Sequence, residues 1–146
     1  MAMMIKIVKG ILQAIAIVHI IGGLVLPWAV HSTLFQQYGI QFSIAFHNSN
    51  SIGFKNQGEF LTGLFGPSIA SWGILFAYVI DVSFRSRDRR GWWTMIIACL
   101  TWATYDSFLS IWNGIYINAI LNSFIAIMII IPLSIVKQYF FTSLQN

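Results

Sequence analysis

Four apolar runs, 10–30, 60–80, 92–111 and 115–136, dominate this chain, and a single charged residue, Asp106, falls inside them. Each run is about 20 residues long, a helix of roughly 30 Å, which matches the hydrocarbon core of a bilayer. A soluble domain carries about 25% charged residues because it must face water. Here 8% of 146 residues are charged and 58% are hydrophobic. Lipid is therefore the expected solvent. The expected fold class is an all-α integral membrane protein, an antiparallel four-helix transmembrane bundle forming one membrane domain over 1–146.

The distribution of charge gives an expected orientation. Lys6 and Lys9 precede the first run, Arg85, Arg87, Arg89 and Arg90 lie in the 82–91 connection, and Lys137 follows the fourth run. If every run crosses, these three places share one side, and only Lys55 lies on the other. Seven of eight cations on one side put that side in the cytoplasm, with both termini. Trp92, Trp93 and Tyr139 flank the inner edge and Trp28, Trp112 and Tyr116 the outer edge, the levels that amphipathic rings favour. The start of the chain resembles a signal peptide in charge, but its apolar stretch is long and no small-x-small cleavage site follows. It reads as a retained first helix. The compact layout suits a bacterial inner membrane.

The connections differ in kind. Asn113-Gly114 signals a tight turn that makes the third and fourth helices antiparallel neighbours. The outer segment 31–58 is long. Within it Ile40, Phe42, Ile44 and Phe46 alternate with Gln41, Ser43, Ala45 and His47, a period-2 pattern. With Asn48-Ser49-Asn50 as a turn and Ser51 to Lys55 returning, this segment is expected to form a small β-hairpin. The alternative is an irregular loop lying on the bilayer.

Gly63, Gly66, Ala70, Gly73 and Ala77 recur at spacings of three and four along the second helix. Helices in lipid associate by close backbone approach, so these small residues mark a packing face. Pro67 either bends this helix or occupies its first turn. Asp81 stands four residues before Arg85, a favourable spacing for extending the helix past the membrane.

The polar residues gather at one depth. Measured from the outer helix ends at 1.5 Å per residue, Asp106 lies roughly 8 Å deep, Asn122 about 10 Å, Ser68 about 12 Å and His19 about 16 Å. Glu59 and Thr62 stand at the outer mouth. The inner half is nearly all Ile, Leu, Val, Met and Phe. Asp106 is the most informative of these, because a mid-helix carboxylate costs on the order of 3 kcal/mol to insert. It is expected either to anchor a ligand or a proton, or to bond structurally to Asn118 or Asn122. Asn118 and Asn122 would orient a ligand or serve as interhelical glue. His19 has the chemistry for a switch or floor, or is a neutral ring bonded to a serine of the second helix. Trp102, one turn below Asp106, would floor a pocket or simply pack. Glu59 would line the mouth or complement a helix dipole.

No P-loop, His-Glu-x-x-His, Gly-x-Ser-x-Gly or Cys-x-x-Cys motif occurs, and Cys99 is the single cysteine. No cofactor is implied. His31, His47 and Glu59 lack the spacing of a metal site. The cations have no folded basic surface for nucleic acid. Expected partners are membrane lipids and either a homo-oligomer or a larger membrane complex. The leading functional expectation is a non-enzymatic protein that binds a small or amphipathic ligand in the outer-half pocket, or an accessory subunit. The alternatives are an oligomeric proton- or ion-coupled transport component and an intramembrane enzyme pairing Asp106 with His19.

Overall fold

The structure is a computed structural model that describes residues 1–33 and 52–142, with the backbone alone at 52–59 and at Thr62. Among these residues the regular structure is helical: α1 (Ala2–Ala29), α2 (Ile52–Ser86), α3 (Arg89–Trp112), α4 (Tyr116–Ile135) and the short α5 (Lys137–Phe141). Four segments, Ala2–Ala29, Gly63–Ser86, Arg89–Trp112 and Tyr116–Ile135, are long and apolar enough to cross a membrane. Their outward faces carry Ile21, Leu24, Phe65, Leu75, Ile97, Phe124 and Ile131, each more than half exposed. A water-soluble domain does not present continuous apolar helix faces of this extent.

Helices reach beyond the apolar runs. α1 starts at Ala2, because Lys6 and Lys9 interrupt hydropathy without interrupting helicity: lysine is a good helix former. α2 starts at Ile52. Residues 52–55, expected as the returning strand of a hairpin, are therefore its first turn, and the rest of that expected hairpin, with residues 34–51, lies outside the described residues. Pro67 sits well inside α2 and not in its first turn. It offers no N–H to the carbonyl of Gly63.

The bundle is two antiparallel hairpins. α1 and α2 meet over most of their length, as do α3 and α4, while the two pairs touch each other over less. A Cβ on Gly66 would collide with the carbonyl oxygen of Gly23, and one on Gly23 would come within 2.5 Å of the Ala70 nitrogen. The backbones of α1 and α2 are thus in direct contact at that level, which only hydrogen at Cα permits. Ala16 and Gly73 continue this seam, Ala70 is buried within it, and Gly63 faces Pro27. At the other end of the pair Lys9 Nζ donates to Asp81 Oδ1 at 2.8 Å, and Arg85 Nη2 to Asp81 Oδ2 at 2.6 Å.

Two turns close on the same backbone hydrogen bond. The Ile115 N–H donates to the Ser110 carbonyl at 2.8 Å around Gly114, whose φ is +74°. The Asp88 N–H donates to the Ser83 carbonyl at 3.1 Å around Arg87, whose φ is +52°. This is the Schellman closure, and glycine is its usual left-handed residue. Arginine there costs about 1 kcal/mol or more, since its Cβ crowds the following carbonyl. Asp88 then caps α3 by accepting from the Arg90 N–H at 2.8 Å.

The interior is uneven. Leu12, Ile80, Met95, Cys99, Ile129, Leu133 and Val136 are almost fully buried and fill the half nearer the cationic end. Two helix-end carbonyls in this half find side-chain donors: Trp92 Nε1 donates to Leu133 O at 2.9 Å, and Tyr139 Oη to Phe84 O at 2.8 Å. Both carbonyls belong to last turns, where no helical N–H follows. In the other half the buried residues are mostly small or polar: Ala16, Ala70, Ala103, Ala119, Ser110 and Asn122.

Candidate ligand site

Asp106 lies on α3 one turn before Ser110, and α4 brings Asn118 and Asn122 opposite, one turn apart. The Gly114 turn sets this register. Asn122 Nδ2 donates to Asp106 Oδ2 at 2.7 Å, and Asn118 Nδ2 donates to the same oxygen at 3.2 Å and to Ser110 Oγ at 2.8 Å. Asn122 and Ser110 are buried, whereas Asp106 and Asn118 are half-buried. Among the described residues, Asp106 Oδ1 takes no hydrogen bond and no cation pairs with the carboxylate. The cluster can therefore fix a carboxylate in one orientation with an oxygen left over, and an ionised carboxylate only accepts.

His19 is placed differently. Its Nδ1 lies 2.8 Å from the Ile15 carbonyl, which can only accept, so Nδ1 carries the proton and donates within α1. The expected bond to a serine of the second helix does not form, and Ser68 faces outward on α2. The ring packs on Trp72 at a centroid distance of 4.7 Å, and Trp72 meets Trp102 at 6.1 Å and stacks on Phe76 at 4.7 Å. Trp102 is half-buried and touches the core one turn below Asp106. The described contacts from His19 toward α3 thus run through aromatic rings, and no hydrogen bond joins it to Asp106.

Of the expected residues, Asp106, Asn118 and Asn122 come together, and Trp102 lies a turn away. His19 reaches the group through Trp72. Glu59 belongs to α2, with its side chain outside the described residues, as is that of Thr62. Gly63, Gly66, Ala70 and Gly73 lie on the α1 side of α2, and Ala77 packs against the core. Ser110 and Trp72 are additions. Ser110 was within reach of sequence reasoning, since it follows Asp106 by four residues, whereas nothing in the spacing points to Trp72. Among the described residues no three His, Cys, Asp or Glu side chains gather as metal ligands. No protein-family model matches this chain, and neither a curated protein nor a solved structure matches it.

Proposed function

We propose that this chain is a four-helix transmembrane protein, with its cationic end and both termini in the cytoplasm, that binds the hydrogen-bond-donating or cationic end of a small amphipathic ligand at Asp106. The reading rests chiefly on the half-satisfied carboxylate. Two amides hold Asp106 Oδ2 while Oδ1 remains open and no described cation neutralises it. Two further features support it. The buried residues around this level are small, and the continuous apolar core joins the two helix pairs in the opposite half. Trp102, half-buried one turn below Asp106, offers ring surface for an alkyl or cationic group.

The test is thermal stabilisation of the detergent-solubilised protein by dodecylamine and by dodecanol, which share a tail and differ in the head. The amine is expected to stabilise the wild type and to lose about tenfold in apparent affinity on Asp106→Asn, the scale of one charge-assisted hydrogen bond. Equal responses to amine and alcohol, or equal amine responses in both proteins, would refute the reading.

A second reading, a subunit of a homo-oligomer or larger membrane complex, is favoured by Tyr78 and Tyr105. They are 69% and 66% exposed on mid-portions of α2 and α3, and neither hydroxyl has a hydrogen-bond partner among the described residues. A hydroxyl facing hydrocarbon is costly, and a neighbouring helix would satisfy it. Cysteine cross-linking from Tyr105→Cys in native membranes is expected to give a discrete adduct if this holds, and none if the chain is solitary.

A further inference from the structure

At the cationic end, three basic side chains lie over rings of α3 and α5: Arg87, in the α2–α3 turn, on one ring, and Arg89 and Lys137 on others. The Arg87 guanidinium lies 4.9 Å from the Tyr139 centroid, that of Arg89 4.6 Å from Phe141, and Lys137 Nζ 5.5 Å from Phe141 and 5.8 Å from Trp92. Arg89 and Lys137 therefore share one ring. Among the described residues none of the three forms an ion pair with an acid. The two acids at this end are Asp81, taken by Lys9 and Arg85, and Asp88, which caps α3 through the Arg90 N–H. A ring holds each cation weakly but leaves most of its N–H donors free. Like charges gathered at one end of a bundle repel, and an anion bound beside them lowers that cost.

Arg87 adds an independent observation. It occupies the left-handed position of the α2–α3 closure, where Gly114 stands in the matching α3–α4 closure. A residue strained in its backbone while its side chain joins a functional-looking group points to a use for that side chain. Tyr139 also anchors α5 beneath it through the bond to Phe84 O.

We infer that Arg87, Arg89 and Lys137, set on Tyr139, Phe141 and Trp92, form a binding site for the phosphate of an anionic phospholipid at the cytoplasmic face. Guanidinium forks match phosphate geometry, and the rings suit the level where headgroup and acyl chain meet. Positively charged clusters next to membrane helices attract anionic lipids generally, and here the rings select Arg87, Arg89 and Lys137 from the other cations at this end. The inference rests on the bundle spanning a bilayer and not on any role for Asp106.

The test is retention of phosphatidylglycerol over phosphatidylcholine by the detergent-purified full chain, read by native mass spectrometry. Arg87→Gly is the informative variant, because glycine suits the backbone there and the fold should be at least as stable. It is expected to lower phosphatidylglycerol retention about fivefold, and Arg87→Gly with Arg89→Gln more than tenfold, at roughly fivefold per cation. A charge-matched control, Lys6→Gln with Arg90→Gln, is expected to lose less than about threefold, being outside the ring cluster. Equal losses in the matched pairs, or no loss in Arg87→Gly, would overturn the proposal. So would inorganic phosphate at millimolar concentration displacing the lipid completely, since the site would then be one for a soluble anion.

Discussion

The two helix pairs are held together by different physics. α1 and α2 touch backbone to backbone at Gly23, Gly66 and Ala70, with a Lys9–Asp81 pair, about a third exposed, at one end. α3 and α4 keep side chains between them and are tied by amide-to-carboxylate bonds at one end and by Trp92 on the Leu133 carbonyl at the other. In hydrocarbon both solutions work, because dispersion at close range and hydrogen bonds without competing water each favour association. They differ in what they leave behind. Close glycine packing exposes no chemistry, whereas a polar tie leaves groups such as Asp106 Oδ1 for another molecule to meet.

Adding bulk to the first pair should break the contrast most sharply. Gly66→Leu must push α1 off α2 and is expected to cost about 3 kcal/mol or more of stability in detergent unfolding, the upper range for overpacking. A shift below about 1 kcal/mol would mean the two backbones are not in contact. Asn122→Ala comes next. It removes the shorter of the two amide bonds to Asp106 and empties a buried position, so about 1–2 kcal/mol is expected in the same assay. Asn118→Ala removes the 3.2 Å bond to Asp106 and the 2.8 Å bond to Ser110 Oγ from a half-buried position, and about 1 kcal/mol is expected. Lys9→Gln should do least. Its partner Asp81 also holds Arg85, and both side chains are about a third exposed, so the smallest shift of the four variants is expected. A larger loss there would give the ion pair a weight that the Gly23–Gly66 contact now carries.

The four spans were legible because a hydrocarbon slab imposes one length and one composition, and the runs meet both. The Gly114 turn and the convergence of Asp106, Asn118 and Asn122 follow from local spacing, so they too could be anticipated. What escaped depends on residues far apart in the chain. Lys9 and Asp81 are 72 positions apart and Trp92 and Leu133 are 41, and no periodicity relates them. The N-terminal part of α2 was hidden for another reason. Residues 52–59 include two glycines and several polar side chains, which read as loop by propensity, yet the helix runs through them. The cation–ring cluster was invisible as such, although its arginines and Tyr139 were each placed at the interface by composition.

The account depends on four helices crossing a bilayer with the cationic end inside. Single cysteines in a Cys99→Ser background test this most directly: Asn113→Cys at the α3–α4 turn and Ser86→Cys at the end of α2, probed in cells with a membrane-impermeant maleimide. Labelling of position 113 in intact cells, with position 86 reacting only after permeabilisation, is the expected result. Labelling of position 86 in intact cells would invert the orientation, and recovery of the labelled chain in the aqueous fraction, free of membrane, would contradict the account altogether.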